Sequence, residues 1–359
     1  MGIIFGGRST EHEVSTVSAT TVLSAIDPAR YTPVLIGVAN DGGWHVAETE
    51  PPLLPEAVFG HPDAERVEPV LGDRLRFLDA SDQRLDRRLD VIFPIVHGRG
   101  GEDGSLQGLL DLANVPYVGT GVLASATCMD KLVSKRILRD AGLPVLPAVE
   151  LNSSAVRHDP RRLVQRAETA FPYPVFVKPT CTGSSVGVFK ASDAAALEQA
   201  VVSASAYDTH VLVEPAVEAR EIECAVLGGH QPEASVLGEI VSRNEFYDYE
   251  AKYASDTTEL KIPAELPESL SEALRNAAKL AFEVMKCWGM ARVDFFVNQT
   301  SSEFWLNELN THPGFTDGSM YPKLWQSSGI ELPDLVSRLI ELALERHQER
   351  SMIQTRFES

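Results

Sequence analysis

What the chain has little of excludes whole classes of function. It has no run approaching 18 consecutive apolar residues, so a membrane span is not expected. Its opening, Met1-Gly2-Ile3-Ile4-Phe5-Gly6-Gly7, has no basic flank and only a short apolar stretch, which is not the pattern of a secretory signal. It has four cysteines, Cys128, Cys181, Cys224 and Cys287, and no C-x-x-C pair. That usage fits a reducing cytoplasm better than a disulfide framework. Positive charge is scarce: Lys and Arg number 32 against 51 Asp and Glu, a net charge of −19. Nucleic acid is therefore not an expected partner, because binding it needs clustered cations that release counterions. A few local cations can still hold a small anion against that field. Neither a G-x-G-x-x-G fingerprint nor a Walker A loop is present, which removes the commonest dinucleotide and P-loop readings.

What remains is a soluble-type composition, 44% hydrophobic and 23% charged over 359 residues, long enough for two or three compact units. There is no internal repeat. Residues 1–40 read as strand, helix, strand, and so as part of a parallel sheet. The helix is expected to start from a Thr10-x-x-Glu13 capping box and to bury Val14, Val17, Val22 and Ala25. The chain opens so close to its first strand that a few native residues ahead of Met1 are expected. Residues 41–90 are weakly periodic and read as loops and an insertion. Val91 to Val96 reads as a buried strand running into the Gly-rich loop His97 to Gly104. A helix is expected near 127–141, a strand at 175–177 and a Gly/Ser loop at 182–187. Two further helices are expected at 267–286 and 332–346, from the spacing of their leucines and alanines. The expected units are 1–123, 124–212 and 213–359.

The chemistry concentrates late in the chain. Met290 to Val297 and Phe304 to Asn310 alternate with period two around a polar turn, which predicts an antiparallel hairpin. Side chains two apart share a face, so Arg292 and Asp294 point together, as do Glu308 and Asn310. With the turn near residue 300 or 301, Asp294 falls opposite residues 306 to 308. Two carboxylates and an amide oxygen make a hard-oxygen set of the kind Mg²⁺ takes alongside substrate phosphates. A guanidinium beside them can neutralise developing charge on a phosphoryl group or oxyanion. The run Asn310-Thr311-His312-Pro313-Gly314-Phe315-Thr316 leaves the strand into a turn whose N–H groups can meet an anion. Lys178 ends a strand before Gly183-Ser184-Ser185-Val186-Gly187, a loop of small residues able to approach phosphate oxygens. Glu11 falls at the start of the first helix, where a carboxylate is favoured by the helix dipole and could also face an ammonium. The acidic, aromatic stretch 245–253 reads as a lid or a surface loop.

Taken in order, these segments resemble the D-alanine–D-alanine ligase family of the ATP-grasp superfamily. The match covers Gly6-Gly7-Arg8-Ser9-Thr10-Glu11-His12-Glu13-Val14-Ser15 and His97-Gly98-x-x-Gly101-Glu102-Asp103-Gly104-x-Leu106-Gln107-Gly108. It continues through Cys128-Met129-Asp130-Lys131, residues 183–187, Tyr247-Asp248-Tyr249-Glu250-Ala251-Lys252-Tyr253, Arg292-Val293-Asp294 and Asn307 to Pro322. The resemblance implies an α/β three-domain ATP-grasp fold that clamps ATP between the second and third units. It implies ligation of two D-alanines through a D-alanyl phosphate, for peptidoglycan synthesis.

By the same resemblance, Glu11 holds the ammonium of the first D-alanine and His97 lies near its carboxylate. Lys131, Lys178, Ser185, Glu214, Val217 and Glu221 hold the nucleotide. Asp294, Glu308 and Asn310 bind two Mg²⁺ ions, for which Mn²⁺ can substitute. Arg292 and the N–H of Gly314 stabilise the tetrahedral intermediate, and Ser319 binds the second D-alanine. Ser184 and Tyr253 link Glu11 to the lid, and Lys252 reaches the γ-phosphate. A cytoplasmic homodimer is implied. The chain departs from the pattern at Thr180-Cys181-Thr182, at Pro215, which removes an N–H donor, and at His312. The alternatives are a D-lactate or D-serine acceptor, or another ATP-grasp carboxylate–amine ligase.

Overall fold

The computed structural model describes residues 1–47, 54–61, 64–71, 75–78, 84–85, 89–242 and 258–354. The first sheet is built on β1 (Gly2–Gly6), a fully buried apolar strand flanked in parallel by β2 (Val34–Val38) and β7 (Ile92–Pro94). The connecting helix α1 (His12–Ala25) differs from expectation at both its start and its face. Its N-cap is Glu11, and Ser9 Oγ accepts the Glu11 N–H at 3.1 Å in place of a capping box at Thr10. Val17 is half exposed, while Ser15, Thr16 and Ser18 are buried beside Ala19, Val22 and Ala25. The polar residues face inward because α1 lies over backbone ends: Ser15 Oγ accepts from the Gly6 N–H at 2.7 Å and donates to the Ile95 carbonyl at 2.6 Å.

Residues 41–90, expected as loops, instead extend the sheet antiparallel. β3 (Trp44–Ala47), β4 (Ala64–Val70), β5 (Arg76–Leu78) and β6 (Arg84–Leu85) follow β2 to give the order β6-β5-β4-β3-β2-β1-β7. Their half-exposed position gives them little apolar alternation, which is why the sequence pattern there was weak. Helix α2 (Ser105–Leu112) follows the Gly-rich loop.

The single helix expected near 127–141 is two: α3 (Val122–Met129) and α4 (Lys131–Asp140). Asp130 breaks them because its carboxylate caps α4, accepting the N–H groups of Leu132 at 2.9 Å and Val133 at 3.0 Å. The second sheet has the order β10-β9-β11-β8, from β8 (Val149–Asn152), β9 (Val175–Pro179), β10 (Phe189–Ala191) and β11 (His210–Pro215). Helices α5 (Ser153–His158), α6 (Pro160–Ala170) and α7 (Ala194–Ala204) accompany it, and α6 and α7 share its core through Leu163, Val164, Leu197 and Val201. β11 is a strand of this sheet through Pro215, past the expected boundary at 212.

The third sheet, β14-β13-β12-β15-β16, is antiparallel throughout. Its strands are β12 (Ala219–Gly228), β13 (Glu233–Ser242), β14 (Thr258–Lys261), β15 (Gly289–Asn298) and β16 (Phe304–Asn310). One core face holds α8 (Glu268–Val284), with Leu270, Leu274, Ala277 and Ala281 buried as their spacing predicts. α9 (Met320–Ser327) and α10 (Leu332–Ser351) bury Tyr321, Leu335, Leu339 and Ile340 in a core continuous with Ile3, Phe5 and Phe93 of the first sheet. The first and third sheets are thus joined through one apolar core.

Candidate active site

β15 alternates buried Val293, Phe295 and Val297 with half-open Arg292, Asp294 and Phe296. Across the ladder, Arg292 faces Asn310 and Asp294 faces Glu308. The register then slips: Phe295 faces Leu306, so Asn307 is an extra residue on β16. That bulge was not legible in the alternation. Without it Leu306 would share the polar face with Glu308. With it Leu306 and Leu309 go to the core while Glu308 and Asn310 stay on the open side. On the other flank β12 places Glu223 opposite Asp294 and Ala225 opposite Arg292. Glu223, Asp294 and Glu308 therefore form a row across three strands.

The cations divide this row. Arg292 donates to Asp294 through Nε and Nη2, both at 2.8 Å, and its Nε lies 3.0 Å from a Glu223 oxygen. Burial works against the Arg292 charge, but Asp294 and Glu223 outweigh it and hold the guanidinium well above its ordinary pKa. Lys131, first residue of α4, reaches Glu308 at 3.0 Å and donates to the Thr182 carbonyl at 2.8 Å. Its backbone N–H donates to the Thr180 carbonyl at 3.1 Å, so α4 and the Gly/Ser loop are tied together at this point. Burial opposes the Lys131 charge too, and Glu308 overrides it.

The second sheet supplies the facing wall. Phe176 and Lys178 lie on the open face of β9. Lys178 Nζ sits 5.6 Å from the ring centroid of Phe296, so it spans from one sheet to the other. Glu214 on β11 is 1% exposed and takes two cations, Lys178 and, at 3.1 Å, Lys135. Burial would raise its pKa, but the two lysines hold it down to about 2. Lys135 itself is pulled below its ordinary value by burial, despite Glu214, and Lys178 adds repulsion. Val217 lies in the short link from β11 to β12, and Glu221 stands on β12 opposite Phe296. Lys178 and Phe176 thus stand on the open face of one sheet and Phe296 and Glu221 on the open face of the other, with Val217 in the link that joins them.

At the third wall, Ser184 donates to Glu11 Oε1 from the Gly/Ser loop. Ser184 and Ser185 both adopt left-handed backbone, φ +48° and +57°, a strained pair for residues with side chains. Glu11 is crowded by glycine: a Cβ on Gly183 would lie 3.3 Å from its Oε2, and one on Gly98 3.0 Å. His97 is buried, with Nδ1 3.1 Å from the His312 carbonyl and 3.4 Å from Glu102, and Nε2 3.3 Å from Ser18 Oγ. Burial opposes its charge while Glu102 and Glu11 favour it, and the balance is upward. Burial likewise raises Glu102. In the turn after β16, Phe315 N–H donates to Ser18 Oγ at 3.2 Å and Thr316 N–H to Ser319 Oγ at 3.0 Å. His312 is fully buried, and neither ring nitrogen has a partner among the described residues. Burial, with His97 and Arg346 nearby, holds its pKa down to about 3.

Glu11, Ser184, Lys131, Lys178, Glu214, Arg292, Asp294, Glu308 and Asn310 are thus linked through shared contacts or one sheet face. Ser185 and Gly314 lie in the flanking loop and turn. Lys252 and Tyr253 fall outside the described residues. Sequence reasoning missed Glu223, Lys135, Asp208 and Ser18. Two carried a signal: Glu223 is two residues from Glu221 on one strand face, and Lys135 is four from Lys131 on one helix face. Asp208, which accepts Thr180 Oγ1 and the Cys181 N–H, each at 2.7 Å, had none.

Among the described residues no group of three or more His, Cys, Asp or Glu forms a metal cluster. Two carboxylates and an amide on one face nonetheless suit a hard cation that completes its shell with phosphate oxygens and water.

Two family models match. One, described as the D-ala D-ala ligase N-terminus, covers residues 1–120, and one described as the C-terminus covers 137–341. A D-alanine–D-alanine ligase of Acetivibrio thermocellus is 44% identical, over 97% of this chain and 96% of that protein. D-alanine–D-alanine ligase A of Salmonella typhimurium is 46% identical over 99% and 98%. Among solved structures, the D-alanine-D-alanine ligase of Coxiella burnetii superposes with a TM-score of 0.82 at 37% identity, over 98% of this chain and 95% of that one. The VanG D-Ala:D-Ser ligase of Enterococcus faecalis gives 0.84 at 31%, over 95% and 98%.

Proposed function

The chain belongs to the D-alanine–D-alanine ligase family, and from that premise we propose that it joins two D-alanines into D-alanyl-D-alanine for peptidoglycan, at the expense of ATP. Its fold is the α/β ATP-grasp fold, and its three sheets support three units with the second boundary after Pro215. The observation that carries the reading is the register of β15 and β16, which gathers Arg292, Asp294, Glu308 and Asn310 on one face beside Lys131.

A carboxylate is a poor electrophile until one of its oxygens becomes a leaving group. Lys131 and Lys178 hold the triphosphate, with Ser185 and the Gly/Ser loop over its oxygens. Val217 and Glu221 take the nucleoside end, while Glu214 sets the position of Lys178 from behind. Glu11, oriented by Ser184, holds the ammonium of the first D-alanine. One carboxylate oxygen of that substrate attacks the γ-phosphorus, ADP leaves, and D-alanyl phosphate results. The amine of the second D-alanine, placed by Ser319, attacks the acyl carbon. Negative charge grows on the acyl oxygen, where Arg292 and the Gly314 N–H meet it. Collapse expels phosphate, and the amine nitrogen gives up a proton, which the departing phosphate can take. Asp294, Glu308 and Asn310 would hold two Mg²⁺ ions, which supply charge neutralisation at the β- and γ-phosphates when bound.

No helix among the described residues is long and apolar enough to cross a membrane. We place the enzyme in the cytoplasm as a homodimer, which sedimentation at micromolar concentration checks. The functional test is coupled ADP release. D-alanine alone should sustain turnover and L-alanine should not. Faster release when D-lactate or D-serine is added would reassign the acceptor, and silence with D-alanine would refute the proposal.

A further inference from the structure

Ser18 is fully buried, lies outside the contacts assigned to substrate, nucleotide or metal, and sits between two groups that do belong to the site. Its Oγ is 3.2 Å from the Phe315 nitrogen and 3.3 Å from His97 Nε2. Two ends of this arrangement have a fixed hydrogen-bond direction. The Phe315 N–H can only donate, so Ser18 Oγ accepts from it. The His312 carbonyl can only accept, so His97 Nδ1, at 3.1 Å, carries a hydrogen and donates to it. In the neutral imidazole Nε2 accepts the remaining Ser18 hydroxyl hydrogen; in the imidazolium, which Glu102 at 3.4 Å from Nδ1 favours, the Nε2 hydrogen is donated to Ser18 Oγ, and the contact holds in both forms.

The result is a closed circuit. It leaves the turn at the N–H of Phe315, passes through Ser18 and the His97 ring, and returns to the same turn at the carbonyl of His312. Only Pro313 and Gly314 lie between. Pro313 has no N–H, and the N–H of Gly314 has no protein acceptor among the described residues. Phe315 adds an apolar anchor: its ring is fully buried and packs edge-on against Phe93 of β7 at 6.0 Å.

We propose that Ser18 and His97 together are positioning residues for the Gly314 N–H, clamping residues 312–315 from both sides so that this one donor faces the acyl oxygen. His97 thereby acts through the turn, with both ring nitrogens committed to the protein, and not by direct contact with a substrate carboxylate. This rests on the proposed ligase chemistry only for the identity of the group that the Gly314 N–H meets. The clamp itself is a statement about hydrogen bonds.

The test is Ser18→Ala, a substitution that suits a helix interior, with Ser18→Cys as a second variant that keeps the volume but binds hydrogen poorly. Loss of a whole oxyanion donor costs about 100-fold or more, so misorienting one should lower kcat by about tenfold. KM for ATP and for D-alanine should stay within about threefold, because the donor works in the transition state. His97→Ala should give a similar loss, and the double variant should be no worse than the poorer single one, since both break one circuit. Independently of activity, hydrogen exchange should show the Phe315 amide opening about tenfold faster in both Ser18 variants, from loss of one buried hydrogen bond. Losses that multiply in the double variant, a rise in the KM for D-alanine on replacing His97 alone, or unchanged exchange at Phe315 would each overturn the clamp. If the wild-type enzyme released no ADP with D-alanine, the ligase reading would fail while the exchange result still decided the clamp.

Discussion

Replacing Glu214 by Gln removes the buried charge that Lys135 and Lys178 share, and its cost can be worked from the structure. The carboxyl is held at about 2 instead of 4.5 by Lys178 and Lys135, against the opposing effect of burial. A tenfold change in an ionisation equilibrium is worth about 1.4 kcal/mol, so the folded chain gains about 3 kcal/mol from this carboxylate at neutral pH. That agrees with the roughly 3–5 kcal/mol lost when one partner of a buried ion pair is deleted. The sign follows from the depressed value: the contribution is complete above pH 4.5 and is lost as pH falls through 2. The assay is hydrogen exchange resolved to β9 and β11, which reads the opening of that sheet without assuming that the whole chain unfolds at once. At pH 7 their amides should exchange about 300-fold faster in the variant, and at pH 3 the gap should shrink to about tenfold. Acceleration under about fivefold at pH 7, or a gap that does not narrow with acid, would show that Glu214 does not stabilise the sheet as an anion.

Glu308→Gln removes one of two facing carboxylates and takes the counter-charge from Lys131, now 3.0 Å from it. Turnover should fall at least about 100-fold at any Mg²⁺ concentration, on the scale set by losing one electrostatic contact at a charge-developing centre. ADP release across a metal titration checks this, and near wild-type rates would remove Glu308 from the metal site. Arg292→Lys keeps the charge but loses the fork that grips Asp294 at 2.8 Å and Glu223 at 3.0 Å. Its kcat should drop about 100-fold with KM for ATP within about threefold, read from steady-state kinetics. Gly101→Ala would place a Cβ 2.0 Å from the Val96 carbonyl oxygen, a backbone atom that cannot yield. A melting temperature lower by about 4 °C is expected from a loss of about 3 kcal/mol, and an unchanged melting curve would contradict the packing described for that loop.

The legible parts of this protein share one property: they repeat over short stretches. The leucines of α8 and α10 were found because a buried helix face recurs every three or four residues. Arg292 and Asp294 were placed together because a strand turns the same face every second residue. The strands of 44–85 were missed because half-exposed strands carry mixed residues, and their pairing is decided by the sheet they join. The helix break at Asp130 was missed because the residue reads as an ordinary helix-surface acid until its carboxylate is seen to cap α4. The bulge at Asn307 was hidden for a related reason. An extra residue in one strand leaves the alternation of each half intact and changes only their phase.

Read residue by residue, the chain already fixes the chemistry available: a hairpin face of hard oxygens and a guanidinium, lysines beside a loop of small residues, and an acid at a helix start. It determined these because backbone period and side-chain type are properties of neighbouring residues. Only the tertiary structure decided the pairings. Glu223 meets Arg292, Lys135 joins Lys178 on Glu214, and Ser18 closes a circuit between His97 and Phe315. Those contacts join residues dozens to hundreds of positions apart. Their distances are set by the packing of three sheets, and no local pattern records that sum.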